Sequence, residues 1–446
     1  MRAYILAVIL AILIPIGFFS PFGGMLSYTW ISYFNPHQYT FGFTRRLPVA
    51  LLVVLPTFVG LAFSRKRQSP PLTVTTLLLG LLWLWFGITT LNVYQSPALV
   101  HHWTDTIVKF EQISKILLMA FVSLIVVIDH QRLRLWYLVT AGSFALLALK
   151  VSLWGIATGG QFKVYGPPSS MLADNNDFGL AMNMALPMFL CLAQTEQSRW
   201  LRWIFFMALP LGMIAVVLTF SRGAMLGFLA LLVAWAMKIR HKYLGALGLA
   251  AVIAVVLVAA PSSWIERMQT LRTAAAVDAS AQSRIRAWDF ATKLARDHPV
   301  LGGGFDTFTE ELYALYGVQD THGPHSIYFQ MLAEHGAPGL FLFISLIASC
   351  YLTCGRIIRR CRHERSEDYL PEYARMVQLS MTTFLVSGAF LGRAYFDLFY
   401  QLIATVIILA HQAKLQVEQA PESSQGELVS VVTNSSSIPC LGYTEG

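Results

Sequence analysis

The sequence contains few charged residues. Only 13% of its 446 residues are Asp, Glu, Lys or Arg, against about 25% in ordinary soluble domains. A soluble chain of this length would form two or three domains, each with a charged surface. The composition therefore excludes a soluble enzyme, a disordered scaffold and a nucleic-acid-binding protein, although the formal net charge is +8. With 56% hydrophobic residues, the chain is predicted to be an integral membrane protein.

Cysteine is also scarce, and none lies in the long polar stretch between residues 261 and 325. The spacing of the cysteines matches neither a disulfide framework nor a zinc site. Internal repeats are missing too. An inverted-repeat transporter would show paired, interrupted helices at matching positions in its two halves. The five cysteines lie in predicted spans or on the predicted cytoplasmic side, at Cys191, Cys350, Cys354, Cys361 and Cys440.

Long apolar runs, each ended by a charged or Pro/Gly-rich stretch, predict an all-α, polytopic membrane protein. The segment 21–34 is apolar but short and turn-rich, so we interpret it as interfacial or re-entrant. The first run lacks a small-residue cleavage site, so we expect an uncleaved span. We predict about twelve spans, near residues 3–19, 47–63, 72–91, 112–128, 133–157, 178–194, 202–220, 223–238, 243–260, 337–354, 376–394 and 398–413.

These spans divide the chain into four parts. We predict that residues 1–260 form an N-terminal bundle of about nine spans and that 261–336 form a long, partly helical outer loop, which holds most of the candidate functional residues described below. Residues 337–414 are predicted to be the C-terminal helices, and 415–446 a polar, disordered tail. Within the loop, helical periodicity predicts one helix over 283–296 and a second over 326–334.

The orientation follows from the distribution of Lys and Arg. With a cytoplasmic N-terminus, the inner side holds 18 of these residues and the outer side 6, leaving aside the long loop. Short cytoplasmic loops carry the excess of positive charge, whereas long loops are largely exempt. Both termini are therefore predicted to be cytoplasmic, and the long loop to face outward.

One candidate cluster is cationic. Arg222 follows a span with almost no loop, and Arg267, Arg272, Arg284 and Arg286 lie in the long loop. The planar guanidinium group suits phosphate because it donates two parallel hydrogen bonds. For single loop arginines, solvation is the favoured explanation. Arg222 must lie at the membrane boundary facing protein or a cavity, where anchoring and phosphate binding are equally supported.

A second cluster consists of His322, His325, Glu334 and His335. A histidine near its ordinary pKa can accept a proton from an attacking hydroxyl without a metal. Zinc binding is the less favoured alternative, since His-Gly-Pro-His differs from the His-Glu-x-x-His pattern and Pro324 stiffens the turn. His335, beside a glycine, can simply end a helix.

Three further features have mainly structural interpretations. The glycines at 302–304 lack the Lys-Ser/Thr of a phosphate loop, so a flexible turn is favoured. Arg393 and Asp397 are one helical turn apart, which favours a structural ion pair over a place in the site. Lys150, deep in a span, has no evident partner in the sequence.

Several of these motifs together resemble the O-antigen ligase/polymerase superfamily. They are Ser221-Arg222-Gly223-Ala224, the loop residues Arg284, Arg286 and Trp288, the Pro299-x-x-Gly302-x-Gly304 turn, and His325-Ser326 followed by Glu334-x-Gly336-x-x-Gly339. Many relatives have Asn where this chain has Ser326. The stretch from Pro15 to His37 resembles the subgroup of O-glycosylation ligases associated with exosortase systems.

The resemblance implies a metal- and cofactor-independent, inverting glycosyltransferase of the bacterial inner membrane. Its donor would be an undecaprenyl-pyrophosphate-linked glycan, and its acceptor a hydroxyl of lipid A–core or of a protein. His325 matches the catalytic base, and Arg222 with Arg284 or Arg286 matches the pyrophosphate-binding residues. His322, Glu334 and Arg393 are possible secondary residues. A polymerase with the same donor remains open, as does, with less support, a flippase or transporter of lipid-linked glycans.

Overall fold

The computed structural model describes residues 1–238, 279–361 and 369–419, apart from 66, 98 and 319, and the single residues 243, 247 and 250. In these residues the only regular structure is helix, which confirms the all-α prediction. Three short 3-10 helices lie at Pro36–Tyr39, Phe43–Arg46 and Val100–His102. The α-helices are α1 Arg2–Phe19, α2 Pro21–Phe34, α3 Val49–Phe63, α4 Val74–Gln95, α5 Trp103–Val126, α6 His130–Ala157, α7 Asn175–Thr195, α8 Arg199–Leu218, α9 Arg222–Lys238, α10 Ala279–Asp297, α11 Glu310–Leu315, α12 Ile327–Cys361, α13 Leu370–Gly388 and α14 Asp397–Gln419.

Seven of the described helices are long and apolar enough to cross a membrane, namely α1, α4, α6, α7, α8, α12 and α14. The helix α3 is apolar but shorter, with 15 residues. Every predicted span except 243–260 coincides with a helix, and that one falls outside the described residues apart from 243, 247 and 250. The chain is thus a multi-pass membrane protein, whereas the number of twelve spans stays a prediction.

The helices differ in how deeply they lie in the bundle. In the most apolar part of α7, 78% of the residues are buried, and in α14 72%, against 17% in α1. The first turns of α7 and α14 are therefore held by protein on most sides. Side chains that project from these turns have fixed positions, which is what a binding site requires.

The segment 21–34 forms a regular helix rather than a turn-rich stretch, and it is not among the helices long and apolar enough to cross a membrane, so its interfacial or re-entrant position stays a prediction. Ser20 caps α2, its side chain accepting a hydrogen bond from the Gly23 amide at 3.2 Å, and Pro21 occupies the first turn. Both residues favour a helix start. At the other end of α2, the Tyr33 hydroxyl donates to Gln401 Oε1 of α14 at 2.7 Å.

The two ends of the bundle can be followed through their contacts. We call "site end" the end where Val93 of α4 lies against Gly304 and His102 Nε2 donates to the Gly303 carbonyl at 2.9 Å. The helix α6 ends at the site end too. Val164, just after α6, donates its amide to the Leu218 carbonyl. The next residue, Thr219, accepts a hydrogen bond at its carbonyl from Asn175 at the start of α7. The other end is called "opposite end".

The helix α1 starts at the site end. Lys150, in the last third of α6, places its Nζ 3.8 Å from the ring of Tyr39, and Tyr4 packs on Phe43 at 6.3 Å between ring centroids. At the opposite end, the Arg132 guanidinium lies 5.3 Å from the Phe22 ring. The helix α2 thus runs from the opposite end to the site end, and α1 runs the other way.

Since α14 starts at the site end, residue 419 and the N-terminus lie at opposite ends of the bundle. The predicted cytoplasmic location of both termini assumed that α2 does not traverse the bundle, whereas the contacts show that α2 runs antiparallel to α1. On which side of the membrane each terminus lies stays a prediction. The same contacts give Lys150 a partner, the Tyr39 ring. The predicted tail 415–446 lies almost wholly outside the described residues, although α14 continues to Gln419.

Candidate active site

Two helices of the long loop were predicted, and both are present. The first, α10, extends over Ala279–Asp297, slightly beyond the predicted 283–296. The second is the start of α12, which kinks at Gly336 with φ 67° and ψ −174°. The part of α12 before the kink, residues 327–335, therefore has a different direction from the long part that follows.

The glycine-rich turn at 302–304 packs against this kink. The Gly303 amide donates to the Ala333 carbonyl at 2.8 Å, and the Gly304 amide to the Glu334 carbonyl at 2.9 Å. A Cβ on Gly302 would lie 2.6 Å from the Glu334 carbonyl carbon. The turn is buried and fixed, so the interpretation as a flexible turn was wrong. Its amides are used within the protein, which also argues against a phosphate cradle.

A polar cavity of about 610 Å³ opens at the site end. Its walls come from five parts of the chain: the first turns of α5 and α7, the turn 306–309, the segment 323–334 and the segment 391–393 that precedes α14. Most of its titratable side chains are far apart in sequence. They are Asp105, Lys109, Asp174, Asp177, Asp306, His325, Glu334 and Arg393.

The cavity contains the predicted base, His325. Its backbone has φ 46°, in the left-handed region that residues other than glycine rarely adopt. Gly392 lies directly behind it, since a Cβ on that glycine would come 2.4 Å from Pro324 Cγ and 3.2 Å from the His325 amide nitrogen. The absence of a side chain at Gly392 lets the two segments approach and determines where the imidazole lies.

The electrostatic surroundings keep the His325 imidazole neutral. Burial lowers its pKa below the ordinary value, and the positive charges of Arg284 and His322 lower it further, while Asp174 acts in the opposite direction. A neutral imidazole can accept a proton. His325 therefore has the protonation state that a general base needs at neutral pH.

Arg393 lies in the same cavity, where it forms an ion pair with Asp177 of α7. The expected pairing with Asp397 was wrong. The backbone turns between 393 and 397, and Asp397 instead lies with Tyr28, Tyr33 and Gln401 between α2 and α14. The pairing with Asp177 holds the guanidinium at the wall of the cavity.

Glu334 also faces the cavity, although the residue is almost fully buried. The Tyr395 hydroxyl donates to one of its carboxylate oxygens, and Gln330 Nε2 lies 3.4 Å from the other. Behind it, His335 is enclosed, with Nε2 2.7 Å from the Tyr395 hydroxyl and Nδ1 2.7 Å from Thr89 Oγ1. His335 ends the first part of α12, as the structural interpretation expected, but its ring nitrogens contact the Tyr395 and Thr89 hydroxyls rather than the last carbonyls.

The competing zinc hypothesis needs His322, His325, Glu334 and His335 around one point. The structure separates them: His335 is sealed in the core, and His322 lines another cavity. Within the described residues, no group of three or more His, Cys, Asp or Glu side chains is placed to hold a metal ion.

The predicted arginines divide into two groups. Arg284 and Arg286 are two positions apart on α10, about 200° around the helix, so they project to different sides. The charge of Arg284 acts on His325. Arg286 pairs with Asp320 and lines a separate cavity of about 500 Å³ together with His322. Arg267 and Arg272 lie outside the described residues.

Arg222 is the first residue of α9 and is buried. The adjacent Ser221 donates its hydroxyl to Asn176 Oδ1 at 2.7 Å, and Asn176 lines the cavity. Arg222 thus lies behind the cavity wall rather than among the lining residues.

Sequence reasoning missed the other side of the cavity. Lys109 Nζ of α5 lies 3.8 Å from Asp306 Oδ1, and Asp105 lies one turn earlier on the same face of α5. Burial raises the pKa of Asp306, although Lys109 opposes the shift. Asp174 caps α7 by accepting from the Asn176 amide at 2.8 Å. The available signal was the charged pair Asp105 and Lys109 directly before an apolar run.

The fold and the cavity define a multi-pass membrane protein with a polar, histidine-containing cavity at one end of its bundle. Residues 205–344 match the family model described as O-antigen ligase. This match covers about a third of the chain and supports the resemblance to the O-antigen ligase superfamily. Residues 1–193 match a model described as a family of unknown function (DUF5935). No curated protein matches the chain.

The two matched regions meet in the cavity. His325 and Glu334 belong to the O-antigen ligase region, whereas Asp105, Lys109 and Asp177 belong to the other. Arg393 lies beyond both. The exosortase-associated subgroup stays a prediction.

Proposed function

We propose that the protein is a membrane glycosyltransferase that transfers a glycan from undecaprenyl pyrophosphate to an acceptor hydroxyl, on the periplasmic face of the inner membrane. The observation that carries the proposal is the position of His325 in a polar cavity at the end of a membrane bundle, where its lowered pKa leaves the imidazole neutral and able to accept a proton. The O-antigen ligase match covers this residue.

In the proposed reaction, His325 accepts the proton of the acceptor hydroxyl. The acceptor oxygen bonds to the anomeric carbon of the first sugar, while the bond from that carbon to the pyrophosphate oxygen breaks with inversion. The carrier leaves as undecaprenyl pyrophosphate. A pyrophosphate leaving group needs no acid catalyst, so one base replaces the paired carboxylates of glycosidases.

Fixed arginines stabilise the charge that develops on the leaving group. Arg284, whose charge already acts on His325, and Arg393 in the cavity wall are the best placed, with Arg222 behind the wall. Arg286 is the weakest of the predicted pyrophosphate ligands because it lines the other cavity, away from His325.

The proposed orientation of the cavity does not depend on the direction of α1. Moving Arg2 to the site end leaves 17 basic residues in the inner loops and 7 in the outer ones. The excess of positive charge still places the opposite end in the cytoplasm. The cavity then faces the periplasm, where lipid-linked glycans would meet their acceptors.

Charge position also bears on the alternatives. The cavity charges lie at one end of the bundle rather than paired in mid-span, which favours surface chemistry over a flippase or transporter. A polymerase uses the same donor and base and differs only in its acceptor.

The test is transfer by the purified protein from one undecaprenyl-pyrophosphate-linked glycan, with lipid A–core, a protein substrate or a second carrier-linked glycan supplied separately. We expect transfer to lipid A–core or protein that survives EDTA. Transfer only to the carrier-linked glycan would identify a polymerase. No transfer to any of the three would contradict the proposal.

A further inference from the structure

The cavity lining holds more carboxyl groups than permanent cations, whereas pyrophosphate binding calls for cations. Its lining includes five carboxyl groups but only two permanent cations, Lys109 and Arg393. Both cations are paired with carboxylates, Lys109 with Asp306 and Arg393 with Asp177. The interior beside Asp105 and Asp306 therefore disfavours pyrophosphate, which Arg284 and the one-third-exposed Arg393 would attract at the border.

The part of the cavity formed by Asp105, Lys109 and Asp306 lies on α5 and on the turn after the glycines. Val108 and Phe308 add apolar wall beside these polar groups. Apolar walls with a few convergent polar groups are typical of small-molecule sites. Carboxylates accept hydrogen bonds from hydroxyls and repel other carboxylates. This chemistry suits the hydroxyls and ring face of a sugar.

We propose that Asp105, Lys109 and Asp306 bind the sugar adjacent to the pyrophosphate and select an uncharged sugar over one that carries a carboxylate. The inference rests on the proposed function, because it takes the lipid-linked glycan as the ligand. The sugar occupies the acidic interior, its anomeric carbon faces His325, and the pyrophosphate lies toward Arg284 and Arg393.

The test compares two synthetic undecaprenyl-pyrophosphate donors whose first sugar is N-acetylglucosamine or glucuronic acid. Binding of each to the full chain in nanodiscs is measured without acceptor. We expect the acidic donor to bind at least about tenfold more weakly to the wild type. In Asp105→Asn/Asp306→Asn, the ratio of the two Kd values should fall to within about threefold.

Asp289→Asn is the matched control. Asp289 is an exposed carboxylate on α10 that pairs with Lys293 at 2.8 Å, away from the cavity. It should leave the wild-type ratio unchanged.

The wild-type ratio alone can overturn the inference, whether or not the double variant folds. Equal affinities, or tighter binding of the acidic donor, would do so. Binding of neither donor would instead contradict the proposed function. If the double variant kept the wild-type ratio of the two Kd values, Asp105 and Asp306 would not be the residues that select the uncharged sugar, which would overturn the inference.

Discussion

Two partly buried arginine–carboxylate pairs lie at opposite ends of the bundle, and they differ in their surroundings. At the opposite end, Arg134 Nε donates to Glu196 at 2.7 Å, with side chains 33% and 1% exposed. At the site end, Arg393 pairs with Asp177, with side chains 33% and 6% exposed. The chemistry and burial of the two pairs are nearly the same.

What differs is the space beside them. Arg134 engages both oxygens of Glu196, and Arg202 donates to the Glu196 backbone carbonyl at 3.0 Å, so the first pair only joins helices. The second pair forms part of the wall of the polar cavity that contains His325. A buried ion pair is therefore weak evidence of function until the structure shows what lies next to it.

The largest expected effect is all-or-none and concerns which end faces outward. In a cysteine-free background, cysteines placed at Arg2 and Asp320 should both react with an impermeant reagent in intact cells, whereas one placed at Arg199 should react only after permeabilisation. If the Arg2 position reacted only after permeabilisation, the N-terminus would be cytoplasmic, as expected from the sequence.

The next effect is the loss of the base. His325→Ala should lower the rate of transfer by about 10²–10⁴-fold, since a positioned general base contributes that much. Donor binding, measured in the same preparation, should remain. His322→Ala, in the neighbouring cavity, should be much milder. Full activity in His325→Ala would remove the base assignment.

Replacing each ion pair by apolar residues compares the two ends directly. Apolar replacement of a buried pair is often neutral for stability, so both proteins should fold. Arg393→Met/Asp177→Leu should lose about 10²-fold or more in transfer, because a fixed charge near the leaving group is removed. Arg134→Met/Glu196→Leu should stay within about threefold of the wild type.

Equal activities of the two double variants would make both pairs structural. Melting temperatures measured alongside exclude unfolding as the cause of any loss.

A smaller effect is expected at Gly392. The added methyl of Gly392→Ala would meet Pro324 at 2.4 Å and displace His325. Small misplacements of a reacting group are costly, and we expect about a tenfold lower kcat with KM less affected. The control Gly80→Ala, where nothing lies within 4 Å of the new Cβ, should leave kcat and KM unchanged. Adding Pro324→Ala, which removes the clashing Cγ, should restore part of the lost rate.

Local patterns predicted much of the fold. Apolar runs located the long helices, and the periodicity of 283–296 located α10. The direction of α1 could not be predicted, because α2 has 14 residues and falls below the length of about 20 that identifies a span. Its helical character depends on the Ser20 cap and on packing against other helices.

The candidate site was only half visible in the sequence. His325 and Glu334 belong to a short motif near the re-entry of the loop. Asp177 and Arg393 are 216 residues apart, and Lys109 of α5 pairs with Asp306 of the turn after the glycines. Residue types and spacings carry no information about such partners. The resulting misassignment of Arg393 to Asp397 shows how a plausible local pairing can hide the real one.

The most direct test of His325 as the base is the pH dependence of kcat/KM for transfer. Burial and the charges of Arg284 and His322 lower the pKa of this imidazole, so it stays neutral and active to lower pH than an ordinary histidine. The acid limb of the profile should fall below pH 6.5, the ordinary value, and should be missing from the residual activity of His325→Ala. An acid limb above pH 6.5, or an identical limb in the variant, would contradict the account.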